Sequence, residues 1–131
     1  DMNEVEINTY LQEIIKKWRT LDIKEIILFG SINNGNFNEE SDIDLLVILD
    51  IDKIPSTYEE KMEMKLELRK AIREVNRKIA IDLLVYTKKE FEILKIEGNN
   101  FFKDIIKNGR KLYAGKYIAP FCKKISLVAE T

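Results

Sequence analysis

The sequence predicts an α/β (α+β) fold, with a small mixed sheet of three or more strands flanked by helices in a single domain. Three observations predict it. At 131 residues, with 45% apolar and 34% charged side chains, the chain supplies one core and is too short for two. Short β-branched apolar runs alternate with longer stretches whose apolar residues recur at helical spacing. No low-complexity tract and no solenoid-like period interrupts that alternation.

The elements follow in order. Across residues 5–21, Ile7, Leu11, Ile14, Ile15, Trp18 and Leu21 form one apolar face, while Gln12, Glu13, Lys16, Lys17 and Arg19 fill the other, which predicts an opening amphipathic helix. Ile26-Ile27-Leu28-Phe29 is a buried strand stopped by Gly30. Asn33-Asn34-Gly35-Asn36 is turn-rich, and residues 42–49 are a second strand. Pro55, Ser56 and Glu59 read as a capping box that opens a long helix through Tyr58, Met62, Leu66, Ala71, Ile72, Val75 and Ile79, ending near Lys78. Residues 79–86 are a third strand, and residues 88–96 a short helix with Phe91 and Leu94 inward. Gly98-Asn99-Asn100 breaks it. A last helix spans 101–108, with Gly109 as its left-handed C-terminal residue, and beyond Ala114 the tail is less patterned and is assigned no element.

Composition narrows the chemistry. Lys and Arg number 22 against 23 for Asp and Glu, a net charge of −1, so no global field draws the chain to nucleic acid or an anionic membrane. There is no His, which removes Ser-His-Asp and Cys-His triads, His-ligated zinc and imidazole acid-base catalysis. The one cysteine, Cys122, excludes an internal disulfide and multi-cysteine metal sites, and reads as a plain thiol in a reducing compartment. The longest apolar runs, such as Leu45-Leu46-Val47-Ile48-Leu49, fall far short of the ~20 residues that span a bilayer, so a cytoplasmic location is expected. Any catalysis must rest on carboxylates.

Those carboxylates occupy unusual places. Ile43-Asp44-Leu45-Leu46-Val47 and Ile81-Asp82-Leu83-Leu84-Val85 repeat one phrase, each with an Asp inside an apolar strand, where an ionised carboxylate is costly unless it is paired or binds a cation. Asp42 and Asp44 stand at i and i+2, so they project from one face with Cα atoms about 6–7 Å apart. If its strand is adjacent, Asp82 joins them. Three such acids, with no Lys or Arg among their strand neighbours, are best relieved by a hard divalent cation, magnesium foremost. Upstream, Gly30-Ser31 ends the first strand, where a residue without a side chain and a hydroxyl beside unpaired amides make an anion cradle.

The full phrase, Gly30-Ser31, ten residues, then Asp42-x-Asp44 and a third strand acid at Asp82, resembles the signature of the DNA polymerase beta superfamily, and most closely its minimal nucleotidyltransferase (MNT) domains. The likeness runs over about residues 26–114 and includes the closing segment Ile105-Ile106-Lys107-Asn108-Gly109-Arg110-Lys111-Leu112-Tyr113. The resemblance implies a nucleotidyltransferase fold in one domain over residues 1–131, with a motif core at 26–86, a helical C-terminal part at 88–114 and a tail at 115–131. It also implies roles: Gly30 and Ser31 hold the triphosphate, Asp42, Asp44 and Asp82 bind two magnesium ions, and Asp82 helps activate the acceptor hydroxyl. Two metals about 3.5–4 Å apart clamp the attacking and leaving oxygens of an in-line displacement, chemistry that needs no His. Many relatives carry a basic residue just after Gly-Ser, where this chain has Ile32-Asn33-Asn34; Lys88 or Lys89 could substitute.

The function implied is transfer of a nucleoside monophosphate, AMP from ATP or another nucleoside triphosphate, to a hydroxyl acceptor with release of pyrophosphate. Small members of this kind resemble antitoxins that modify a Tyr of a partner HEPN toxin. The alternatives are an aminoglycoside-type transferase, for which so short a chain would build its acceptor pocket as a homo-oligomer, and a non-catalytic module that neutralises its partner by contact. Trp18, Phe101 and Phe102 read as core aromatics, and Arg69, Lys70, Arg73, Arg77 and Lys78 as a solvated helix face.

Overall fold

The computed structural model describes residues 3–115 and, for the backbone alone, residues 117 and 118. Helix α1 (Glu4–Trp18) starts where the Asn3 side chain accepts the Glu6 N–H, a cap that satisfies one free first-turn amide. Its apolar stripe, Ile7 to Trp18, is buried, and the Trp18 indole N–H donates to Leu68 O at 2.9 Å, tying α1 to the helix that follows the second strand.

Strand β1 (Ile23–Phe29) leads into a single helical turn, α2 (Gly30–Asn33), and then to β2 (Ile43–Leu49). The crossover from β2 consists of α3 (Tyr58–Ala71) and α4 (Arg73–Asn76), and it returns the chain to β3 (Ile81–Thr87). Helices α5 (Lys88–Glu97) and α6 (Asn100–Asn108) follow, then β4 (Arg110–Ala114) and β5 (Tyr117–Ile118). The sheet order is β3-β2-β1-β4-β5, with β1 antiparallel to both neighbours and β2 parallel to β3. A parallel pair needs a long crossover, which α3 and α4 provide.

The sheet is buried on both faces. Ile43, Leu45 and Val47 with Ile81, Leu83 and Val85 pack among residues of α1, α3 and α4. Leu46 and Ile48 with Leu84 and Tyr86 pack against Phe91 of α5 and Phe102 and Ile105 of α6. That is why the middle strand reads as a continuous apolar run instead of an alternating one.

Several local expectations are corrected. The long helix predicted to run to Lys78 is interrupted at Ile72, whose φ of −112° and ψ of 21° leave the helical region, while Ile72 and Val75 both stay buried. Its cap is Thr57, which accepts the Glu60 N–H, one residue later than the predicted Ser56 and Glu59 box. Ser56 instead donates its backbone and hydroxyl hydrogens to Glu60 Oε2. Gly109 is extended at φ −68°, not left-handed; a Cβ there would meet Ile105 O and Ile27 Cγ2, each at 2.5 Å, so the glycine is needed for space. The C-terminal part expected to be helical over 88–114 ends in strand β4. Trp18 and Phe102 are core as expected, whereas Phe101 is 60% exposed. Cys122 and the tail beyond Ile118 lie outside the described residues. Among the described residues no helix is long and apolar enough to cross a membrane.

Candidate active site

The repeated phrase proves to be a pairing rule. Ile43, Asp44, Leu45, Leu46 and Val47 stand opposite Ile81, Asp82, Leu83, Leu84 and Val85, residue for residue, on the parallel strands β2 and β3. Asp44 and Asp82 are therefore lateral neighbours, about 4.8 Å apart in strand spacing, on the face covered farther along by α5 and α6. Asp42 lies one residue before β2 begins, two residues before Asp44. Asp44 and Asp42 are half-buried and Asp82 is exposed.

Burial and crowding show in Asp44. Its carboxyl pKa is pushed up from 3.8 to about 6, first by burial, then by the charges of Asp82 and Asp42, with a side-chain hydrogen bond to Asp82 acting in the same direction. No described Lys or Arg forms an ion pair with any of the three acids. A set of hard oxygen donors whose negative charge the protein leaves uncompensated fits a divalent cation such as magnesium. Among the described residues no three acids close into a finished metal cage; the carboxyls are gathered side by side, with a hydrogen bond between Asp44 and Asp82.

Gly30 closes the site from the neighbouring strand. Phe29, the last residue of β1, is directly opposite Asp44, and Gly30 follows with φ +79°. A Cβ on Gly30 would fall on the Asp44 carboxylate, so the turn requires glycine for both its backbone angle and its closeness to the acid. Ser31 sits in the first turn of α2, whose N-terminus has no side-chain cap. Thus Gly30, Ser31, Asp44 and Asp82 meet at one end of three adjacent strands, with Asp42 two residues away along the chain.

Other expectations separate. Lys88 and Lys89 begin α5, beyond the far end of β3 and roughly 20 Å of strand from Asp82. They are held there: Lys88 Nζ lies 2.8 Å from Asp50 Oδ1, and Lys89 Nζ 3.8 Å from Asp52 Oδ1. Neither can stand in for the basic residue missing after Ser31. The cation nearest the Gly30 turn along the sheet is Arg110 of β4, paired with Leu28, whose Nε is buried without a hydrogen-bond partner. The exposed Phe101 meets Phe29 edge-on, ring centroids 6.1 Å apart, and so stands beside the residue that faces Asp44. Neither Arg110 nor Phe101 was recognisable as near the site from local sequence pattern, because only sheet order brings β4 to β1 and only helix packing brings Phe101 to Phe29.

Residues 10–113 match the nucleotidyltransferase domain family. The chain belongs to that family. It is a nucleotidyltransferase, and the reading of the chain as a purely partner-binding module is set aside. A Methanocaldococcus jannaschii protein provisionally named a protein adenylyltransferase is 33% identical over 113 residues, which cover 86% of this chain and all of that one. A provisionally named nucleotidyltransferase from Sulfolobus solfataricus shares the fold, with a TM-score of 0.54 at 20% identity over 88% of this chain and 86% of the other. A toxin-antitoxin structure with AMP-PNP aligns with a TM-score of 0.47 and 19% identity over 88% of this chain and 76% of its own. The nucleotidyltransferase fold expected from the Gly-Ser and Asp phrase is thereby borne out.

Proposed function

We propose that this nucleotidyltransferase moves AMP from ATP to a hydroxyl of a partner protein. The observation that carries the reading is the lateral pair Asp44 and Asp82 beneath the Gly30 turn, with Asp42 beside it. The acceptor class is supported by the full-length match to a relative provisionally named a protein adenylyltransferase. A Tyr of a HEPN-type toxin is the acceptor that the MNT resemblance implies, with the reaction placed in the cytoplasm.

The side-chain-free Gly30 and the Ser31 hydroxyl cradle the triphosphate, the backbone approaching where a Cβ would block it. Asp42, Asp44 and Asp82 hold magnesium, which when bound neutralises the triphosphate and stabilises the charge that develops during transfer. The acceptor oxygen attacks the α-phosphorus, the bond to the α-β bridging oxygen breaks, and pyrophosphate leaves. The hydroxyl proton passes to an Asp82 carboxylate oxygen, which is exposed and so can return it to water. Phe101 offers an exposed ring beside the site for a base to stack on.

The test is incubation of the chain with ATP, magnesium and the candidate partner, followed by intact mass of the partner and measurement of pyrophosphate. One AMP unit on a hydroxyl side chain, absent with Asp44→Asn, is expected. Pyrophosphate release without any modified protein would overturn the acceptor assignment.

A further inference from the structure

Strand β3 is the outer strand of the sheet, and its free edge is capped unevenly. The Ile43 N–H donates to Ala80 O, which fixes the ladder: the backbone groups of even-numbered β3 residues face β2, and those of Ile81, Leu83, Val85 and Thr87 face away. Side chains cover both ends of that outward row. The Ile81 N–H donates to Asn76 Oδ1 and Ile81 O accepts from Arg69, while the Thr87 N–H donates to Glu90 Oε1. Between these caps, no described residue satisfies the outward N–H and C=O of Leu83 or Val85.

This uncapped window faces a groove and not a flat surface. Leu83 and Val85 are 2% and 6% exposed, and their outward side forms one wall of a groove of about 430 Å³ whose other wall is α3, with Tyr58, Met62, Lys61 and Lys65. Tyr58 and Met62 are 75% and 40% exposed, an apolar strip without a partner among the described residues. A backbone pair on an outer strand that no described residue bonds favours an added strand. The charged residues of the groove are both lysines: Lys61 is bound to Glu90, and Lys65 forms no ion pair among the described residues. A second copy of the chain would bring its own Lys65 into the same groove, whereas an acidic segment would complement it.

We propose that the Leu83 and Val85 window receives an extended, acidic segment of the protein substrate as an additional strand against Lys65, which carries the acceptor hydroxyl to Asp82. The inference rests on protein adenylylation as the function of the site. Asp82 immediately precedes the window on the same strand. A neighbouring strand lies about 4.8 Å away, so a residue of the added segment opposite Asp82 presents its side chain on the face that holds Asp82 and Asp44. The edge then supplies main-chain recognition and the lysines supply selection.

The test uses the full chain without ATP or metal, and a ten-residue probe peptide alternating Glu with Val or Tyr. Amide hydrogen exchange at Leu83 and Val85 should slow at least tenfold on adding peptide, while Leu84 and Tyr86, already bonded to β2, stay unchanged. Lys65→Glu and Met62→Glu, both on the α3 surface, should weaken peptide binding at least tenfold and leave melting temperature and the magnesium-ATP shift intact. Equal protection by the same peptide with Lys for Glu, or no peptide-dependent protection, overturns the proposal. So does protection that rises with protein concentration alone, which would assign the edge to a second copy. Because binding is read without nucleotide, an edge that binds peptide with no AMP transfer refutes the function and spares the docking site, and the reverse result does the opposite.

Discussion

The Asp44 carboxylate occupies the space that a side chain on Gly30 would need. Two strands thus deliver the Gly30 turn and the half-buried acid to one point, and the backbone of the turn is shaped by the acid it must not displace. Gly35 provides an internal control, since it shares φ +79° and has nothing within 4 Å of its would-be Cβ.

Gly30→Ala and Gly35→Ala should both lower stability by about 1–2 kcal/mol through the left-handed backbone alone. Only Gly30→Ala should lose more and also lose its response to magnesium-ATP. Thermal melts of both variants, with and without ligand, separate the two effects; an unimpaired ligand shift in Gly30→Ala would mean the turn does not approach the nucleotide.

Asp44→Asn should reduce transfer at least about 100-fold with the fold retained, because ligand charge is lost at constant side-chain volume and the stabilisation at stake is several kcal/mol. Asp82→Asn should depress turnover more than ATP affinity if Asp82 serves the acceptor side. Equal losses in KM and kcat would instead make it a second triphosphate residue.

The acids also set a ligand-linked stability. At ~100 times its dissociation constant, magnesium-ATP should add about 2.7 kcal/mol and raise the melting temperature by roughly 5–15 °C. The Asp42→Asn/Asp44→Asn pair should melt at least as high as wild type when unliganded, having lost the crowding, and should gain little from the ligand. A full shift in that double variant would remove the cluster from the nucleotide site.

Raising the Asp44 pKa to about 6 has a definite sign. The folded chain binds this proton more tightly than the unfolded chain does, so the associated stability is complete below about pH 3.8 and is lost as pH rises through about 6. In metal-free buffer, the melting temperature of Asp44→Asn minus that of wild type should therefore grow between pH 4 and 7. A flat difference would show that Asp44 titrates as it does in the unfolded chain.

Strands were legible where their residues are buried on both faces. Residues 43–49 announce themselves, but β1 extends back to Ile23 through the charged Lys24 and Glu25, which hide the start. The break at Ile72 left no trace because the apolar period continues across it. Strand β4 was not legible because the charged Arg110 and Lys111 open so short a segment, and only the pairing with β1 defines it. At the site, the repeated Ile-Asp-Leu-Leu-Val phrase foreshadowed the lateral pairing of Asp44 with Asp82, and the i and i+2 spacing kept Asp42 near Asp44. Lys88 and Lys89 were misplaced because residue type does not reveal the end of the sheet at which a side chain lies. The gap at Leu83 and Val85 was invisible too, being defined by caps from Asn76, Arg69 and Glu90, which are separated along the chain.

The parallel pairing of β2 with β3 also orders events during synthesis. A ribosome delivers Gly30, Ser31, Asp42 and Asp44 before it delivers Asp82, and the two strands can meet only after the intervening α3 and α4 have emerged and closed a long loop. A nascent chain therefore carries the Gly30 turn and two of the acids with no third carboxylate beside them until the crossover has docked.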